Sequence, residues 1–296
     1  MMNLQTKSYK PTIKNGDYLF SDELTFPFPV EIHFTRMESF DNPNAVKVLV
    51  LSNESMMSPN RSTISEVIDN HKKYDLILGT DDEIIVFCEN AKKFPYGSTW
   101  LNRGNIKHPD GLGRYEDNSP SFDGITKDFS VSFLASWYNL NRPGYALRQQ
   151  VWNRKEEIPI ARNFYTSVKC FSNAPTPLPG GEKEVLFDSQ YHICIENHAI
   201  GNYFTEKLID SFLTLSIPIY WGCTNIEDYF DVDGMILFDT IDDLLEKLND
   251  ITPEHYFNKL DVMKENKKRA IEYANFDERI FKEIIKHDRT NNNDPK

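Results

Sequence analysis

A glutamate beside a lysine at the start of a helix, Glu206 and Lys207, is the pair in this sequence best placed to do chemistry. Thr205 before them suits a helix N-cap, and Leu208, Phe212 and Leu215 then recur at the spacing of one apolar helix face. Upstream, Ile193, Cys194 and Ile195 form a short apolar run that ends on Glu196 and Asn197, and a loop with Gly201, Asn202 and Tyr203 follows. Downstream, Ile217 to Trp221 is β-rich and stops at Gly222. Strand, loop, helix and strand make a βαβ unit, whose crossover in a parallel sheet is right-handed. Ligands of open α/β sheets bind beyond the carboxyl ends of the strands, where the free N–H groups of a helix start receive phosphate. Lys207 adds a full positive charge there, and the Glu206 carboxylate can accept hydrogen bonds from paired hydroxyls such as a ribose diol. The pair suits a nucleoside diphosphate. It also suits a solvated first turn, where the helix dipole favours glutamate.

Further candidates lie on other elements. Phe133 to Ser136 ends a strand, and Arg142, Arg148 and Arg154 follow through a Pro-Gly turn into a helix. Arginine presents a planar fork of donors that matches phosphate oxygens, although a solvated helix face accounts for at least two of the three. In the N-terminal half, Val48 to Leu51 is a β-branched run that breaks into Ser52, Asn53, Glu54 and Ser55, so Glu54 stands at a strand end. Asp81, Asp82 and Glu83 read as a charge run in a loop. The seven histidines show no metal-ligand spacing, and Cys88, Cys170, Cys194 and Cys223 lie far apart without a C-x-x-C pair. Neither a disulfide framework nor a zinc site is expected, and Cys194 reads as a small buried hydrophobe.

The elements that must position these residues alternate between strand and helix patterns. Val30 to Thr35 is a candidate first strand, with Glu31 and His33 alternating against Ile32 and Phe34; Ile64, Val67 and Ile68 suit a helix, and Tyr74 to Leu78 the next strand. Asn102 to Thr126 is rich in glycine and proline and poor in aliphatics, which marks an interdomain loop. A second strand-first segment begins at Phe129. Asp239 to Leu248 places Ile241, Leu244, Leu245 and Leu248 on one side of a surface helix, and Val262 to Ile285 reads as one longer charged helix. With 296 residues, 40% of them hydrophobic, the chain has material for two α/β domains, taken as 1–127 and 128–290. The net charge of −12 argues against a nucleic-acid or anionic-membrane partner, so an anionic ligand must be captured by a local cluster of Arg and Lys.

Ile195-Glu196-Asn197, then Tyr203-Phe-Thr-Glu206-Lys207, then Ile217-Pro-Ile-Tyr-Trp-Gly222 resemble the donor-binding signature of the α-1,3/1,4-fucosyltransferases, glycosyltransferase family 10. In that family an F-E-N-S strand end leads through a Y-x-T-E-K-L helix start to a P-V/I-x-x-G strand; here His198 stands where serine is usual. Glu54-Ser55, Ser58-Pro59, Tyr74 to Leu78 and Phe94-Pro95-Tyr96-Gly97 are similar to the family's F-E-S-P region and the segments after it. The resemblance implies a GT-B type fold, two Rossmann-like α/β domains facing a central cleft, with the donor half at the C-terminus and the acceptor half at the N-terminus. It implies an inverting transferase that uses GDP-fucose as donor and an oligosaccharide or other glycan as acceptor. Glu54 inherits the role of catalytic base. Arg148, or alternatively Arg142 after the Ser136 strand end, and Lys207 neutralise the diphosphate; Glu206 binds the ribose hydroxyls; Asn197 and Tyr203 shape the pocket; Glu196 touches the sugar or caps its strand. Transfer of another GDP-linked sugar, and glycan or nucleotide binding without catalysis, are the alternatives.

The resemblance requires no metal, with Mn or Mg at most stimulatory, because a diphosphate held by lysine and arginine does not need one. Asp231-Val-Asp233 has the form of a Mn-binding D-x-D motif, but a turn between Phe230 and Met235 explains it better. No apolar run approaches the ~18 residues of a membrane span, and Met1 to Asp17 lacks the apolar core of a signal peptide. A cytoplasmic enzyme without a transmembrane anchor is therefore expected. The charged C-terminal helix fits a solvated face as well as a partner surface and sets no oligomeric state.

Overall fold

The computed structural model describes residues 8–14, 24–51, 62–101, 127–136, 141–167, 176–179 and 183–292, with side chains as far as residue 289. Two compact units emerge, residues Met1–Tyr96 with Phe276–Lys296, and residues Gly97–Asn275. Asn102 to Thr126, read as a linker, lies outside the described residues.

The first unit is a sheet of β1 (Thr12–Lys14), β2 (Val30–Phe34), β3 (Val46–Val50), β4 (Leu76–Gly79) and β5 (Ala91–Lys93), in that order and parallel throughout. Short α1 (Ile64–Asn70) and α2 (Asp82–Phe87) make the crossovers. Thr63 caps α1 by accepting from Glu66 N, and Asp81 caps α2 by accepting from Glu83 N and Ile84 N. The acidic run at 81–83 is therefore a helix start rather than a loop, as the dipole of a helix N-terminus favours. The alternation read over β2 also gives way. Glu31 and His33 are as buried as Ile32 and Phe34, because a parallel sheet is covered on both faces. Their polar atoms are met internally: Glu31 accepts from Asp41 N and from the Lys14 ammonium, while His33 lies 2.9 Å from Glu31 and 2.7 Å from the Tyr74 hydroxyl.

The second unit is a parallel sheet ordered β10-β9-β8-β6-β7. Its strands are β6 (Asp128–Ala135), β7 (Ala161–Thr166), β8 (Ser189–Ile195), β9 (Ile217–Trp221) and β10 (Ile236–Leu237). Helix α3 (Pro143–Asn153) joins β6 to β7 and α4 (Glu206–Leu213) joins β8 to β9, so the order reverses between β6 and β8. Helix α5 (Ile241–Asn249) buries Ile241, Leu244, Leu245 and Leu248, the face read from the sequence. Helix α4 is shorter than its apolar repeat. It ends at Leu213, and Leu215 turns into left-handed backbone at φ 55°. There Leu215 N donates to Phe212 O and Ser216 N to Ser211 O, a Schellman closure of the helix end.

The long charged helix expected over Val262 to Ile285 is two helices, α6 (Pro253–Ala274) and α7 (Phe276–Asn292), broken at Asn275 with ψ 86°. The break lets the two serve different cores. Met263, Ala270 and Ala274 of α6 pack in the second unit, while Phe276, Ile280 and Ile284 of α7 pack with Phe26, Val30, Val48 and Phe94 in the first. The units thus differ from the halves read from the sequence in where residues 97–101 and α7 fall. Among the described residues no helix is long and apolar enough to cross a membrane. If α7 completes the first core, Ile280→Ala should cost about 2–5 kcal/mol in denaturant unfolding of the full chain. An unchanged midpoint would contradict the packing.

Candidate functional site

The reversal of strand order between β6 and β8 is where an open α/β sheet forms a crevice at its carboxyl edge. Arg148, on α3, bridges the two strand ends across it. Its Nε and Nη2 donate to Ile195 O, Nη2 also to Asn197 Oδ1 at 2.9 Å, and Nη1 to Ser136 Oγ at 3.2 Å and Ser136 O at 3.4 Å. A guanidinium has five N–H donors, so this set occupies all of them. The side chain is buried, and burial pulls its pKa below the ordinary arginine value, opposed by the nearby Glu196. Close docking of α3 onto β8 depends on Gly144, whose N–H donates to Asn197 O and whose added Cβ would meet Glu196 O at 1.8 Å.

Arg142 precedes the first turn of α3 and is only partly buried. Its guanidinium lies over the Tyr145 ring at 5.7 Å, and that of Arg148 at 4.9 Å from the same ring. The Arg142 Nε atom is buried and finds no hydrogen-bond partner among the described residues. Arg154 pairs with Glu157 at 2.7 Å and Asp242 at 2.6 Å on the surface, so it is the solvated arginine of the three.

On the other side of β8, Glu196 is fully buried and ties the strand end to the start of α4. Its carboxylate accepts from Thr205 N and Thr205 Oγ1, both at 2.8 Å, and pairs with Lys207 Nζ at 3.4 Å. Room for it comes from Gly222, where a Cβ would stand 2.6 Å from Glu196 Cγ. Thr205 caps α4 by accepting from Lys207 N, as its position implied. The Lys207 ammonium also reaches Glu206 Oε1 at 3.3 Å, and Lys183 reaches the same oxygen at 3.6 Å. Burial raises both carboxyls, but Lys207 and Lys183 together overcome it at Glu206, which is held down at about 2, whereas Glu196 stays above its ordinary value. Glu206 is therefore a firm anion and hydrogen-bond acceptor, and Glu196 is an internal strut.

Tyr203 is buried in the loop before α4. Asn202, in left-handed backbone, fixes that loop: its N–H donates to Asn225 Oδ1, and its own Oδ1 accepts from Asn225 Nδ2 and from the Tyr229 hydroxyl. Arg142, Arg148, Ser136, Glu196, Asn197, Tyr203, Glu206 and Lys207 thus gather at one sheet edge of the second unit. Glu54 lies outside the described residues. Sequence reading missed Asp210, Lys183 and Trp100. Asp210 sits one turn beyond Glu206, a spacing that could have found it; Lys183 and Trp100 carry no sequence signal.

The D-x-D segment is a turn. Asp231 accepts from Asp233 N, and Asn266 braces it through Asp231 N and O. Among the described residues no three His, Cys, Asp or Glu side chains cluster as metal ligands. Cys88, Cys194 and Cys223 are buried and free, and burial pushes the Cys194 thiol up. In the first unit, an open cavity of about 660 Å³ includes Lys47 and Lys73 opposed by Glu38 and Glu66, a balance that selects no ligand charge.

No family model matches the sequence. Over 131 residues it is 26% identical to the α-(1,3)-fucosyltransferase FucT of Helicobacter pylori, a match spanning 34% of this chain and only 27% of that protein's length. A solved α1,3-fucosyltransferase with GDP shares the fold at a TM-score of 0.50 and 17% identity, covering 93% of this chain and 94% of that one. A second, solved with GDP-fucose, gives 0.50 and 18%, covering 88% and 84%. Two parallel Rossmann-like units are thus the GT-B type architecture of these enzymes. The chain is thus similar to one α-(1,3)-fucosyltransferase over part of its sequence and to two others in its fold.

Gly144→Ala forces backbone apart at the strand end and should cost about 3 kcal/mol, lowering Tm by several degrees. A second outcome concerns pH. Burial pushes the Asp210 carboxyl up to about 7 from 3.8, against Lys183 and the Thr99 hydroxyl, which favour the anion. With the folded pKa above the unfolded one, the folded chain holds the extra proton in the window between the two. This group's contribution to stability therefore falls as pH rises through that window. Asp210→Asn should remove the slope, so its Tm relative to the parent rises on going from about pH 5 to about pH 8. A pH-independent difference would count against the shift.

Proposed function

We propose that this chain is an inverting glycosyltransferase that moves fucose from GDP-fucose to a hydroxyl of an oligosaccharide, giving an α-1,3 or α-1,4 linkage. The observation that carries the reading is the Glu206–Lys207 pair at the start of α4, on the same sheet edge as Arg142, Arg148 and Asn197. In this reaction the acceptor oxygen bonds to the fucose anomeric carbon from the face opposite the diphosphate. The bond from that carbon to the phosphate oxygen breaks, and GDP departs with the electron pair. The acceptor's proton goes to a general base, the role given to Glu54 by its motif. Lys207 and an arginine meet the charge that develops on the departing diphosphate.

Of the two arginines, Arg142 is the better diphosphate ligand. The Arg148 donors already serve Ile195, Ser136 and Asn197, which makes it the clamp of the strand ends. Arg142 keeps a buried Nε without a partner among the described residues. Glu206 binds the ribose hydroxyls as an ionised acceptor, and Asn197 and Tyr203 wall the pocket. Lysine and arginine neutralise the diphosphate without an obligatory metal, and Mn or Mg is at most stimulatory. The C-terminal unit is the donor side and the N-terminal unit the acceptor side.

Incubation with GDP-fucose or GDP-mannose and an acetyllactosamine-type acceptor, following GDP release and acceptor mass, tests the reading. Fucose transfer is expected. Mannose transfer instead would move the assignment to another GDP-sugar, and GDP binding without transfer from either donor would leave a nucleotide-binding protein. Glu54→Gln should keep GDP affinity and lower kcat about 100-fold or more; loss of donor affinity would remove the base assignment. Arg142→Ala should weaken GDP binding by about tenfold with Tm unchanged. Arg148→Ala, in contrast, should lower Tm.

A further inference from the structure

Two ammonium groups converge on one carboxylate oxygen at the start of α4. Lys207 Nζ stands 3.3 Å and Lys183 Nζ 3.6 Å from Glu206 Oε1. All three side chains are largely shielded from water, with relative exposures of 23%, 17% and 9%. Glu206 is thus shared between two ammoniums, and partial burial strengthens the pull of each on an anion. Lys207 is divided between Glu206 and Glu196, whereas the ion pair of Lys183 is the longer one to Glu206, at 3.6 Å, so Lys183 is the less tightly held of the two cations.

Lys183 is held where it is. It opens the 3-10 turn Lys183–Asp188 that leads into β8, and its Nζ lies 4.3 Å from the centroid of the Trp100 ring, a cation–π seat. Trp100 is fixed in turn by α4. Asp210, one turn beyond Glu206 and itself buried, accepts the Thr99 hydroxyl at 2.6 Å and Trp100 N at 3.1 Å. Contacts therefore run from Asp210 through Thr99 and Trp100 to Lys183 and back to Glu206 on the same helix. A lysine on four flexible carbons would otherwise lose rotamer freedom on binding, and the ring has already taken that loss.

We infer that Lys183 is a second ammonium ligand of the donor's diphosphate, beside Lys207, and that Asp210 is the positioning residue that holds the Trp100 seat on which it rests. The inference builds on the nucleotide-sugar reading of this site. A diphosphate offers several anionic oxygens, enough for both ammoniums at once, where Glu206 offers them a single shared oxygen. Glu206 then remains the acceptor for hydroxyls while both lysines turn to phosphate oxygens.

Calorimetric titration of GDP and of guanosine into the full chain separates the possibilities. Lys183→Ala should weaken GDP binding about tenfold and leave guanosine binding within about twofold. Asp210→Ala and Trp100→Ala should lower the ratio of GDP to guanosine affinity in the same direction, by a smaller factor. Asp210→Asn, which keeps an acceptor oxygen for Thr99 and Trp100, should restore that ratio; a merely structural role would not move it. The inference falls if Lys183→Ala leaves GDP affinity intact while Lys207→Ala lowers it. It falls equally if guanosine and GDP lose affinity alike, because Lys183 would then act on the ribose. Absence of GDP binding by the unaltered chain removes the nucleotide reading itself, a result distinct from either.

Discussion

Everything at the carboxyl edge of the second sheet hangs on how the end of β8 is gripped. A charged group taken out of water destabilises a protein unless it is paired and hydrogen-bonded, and two such groups sit within a few residues of that strand end. Arg148 grips the strand from the α3 side through Ile195 O and the Asn197 side chain. Glu196 grips the start of α4 through Thr205 and Lys207. Neither charge is accessible, so neither is chosen for meeting a ligand. Together they set the positions of their neighbours, Arg142 six residues before Arg148, and Glu206 and Lys207 immediately after Thr205.

Neighbouring carboxyls behave differently because their cations differ. Burial raises Glu196, Glu206 and Asp210 alike, and only Glu206 ends well below its ordinary value. Glu206 has Lys207 and Lys183 on the same oxygen, Glu196 has Lys207 alone, and Asp210 has no ion-pair contact among the described residues, only the more distant pull of Lys183 and the Thr99 and Trp100 donors. Three acidic side chains around the start of α4 thus end in three different states, an ionised acceptor at Glu206, a strut at Glu196 and an anchor at Asp210. Glycine makes the arrangement possible at two points, Gly144 against Glu196 O and Gly222 against Glu196 Cγ, where any side chain would collide with the strand end.

A buried cluster in the first unit shows the same rule. Glu31, His33 and Tyr74 form a buried polar chain within a parallel sheet, each satisfied by the next and by backbone N–H groups. Asp231 and Asp233, which have the form of a metal motif, likewise spend their contacts on holding a turn against Asn266. Residue type alone therefore overstates chemistry in this chain. A polar side chain whose partners are complete is structure, and one whose partners are incomplete at a helix start is a candidate ligand.

Features whose cause is local were legible in the amino-acid order. The Thr205 cap, the Glu206–Lys207 pair, the β-rich runs of β3, β6 and β9 and the apolar face of α5 depend on neighbours within a few residues, and so do the motifs that carried the family resemblance. The length of α4 and the split into α6 and α7 were not legible. A left-handed Leu215 and a non-helical Asn275 interrupt patterns whose periodicity continues through them. Burial of Glu31 and His33 needed a second covered sheet face, which alternation cannot report. The tertiary structure alone decided that Arg148 is spent inside the fold, because its acceptors come from strands that meet only in the sheet. It alone brought Thr99 to Asp210, 111 positions apart, and so set Lys183 beside Glu206. Local order wrote the elements and their caps; long-range packing chose which charges are consumed inside the fold.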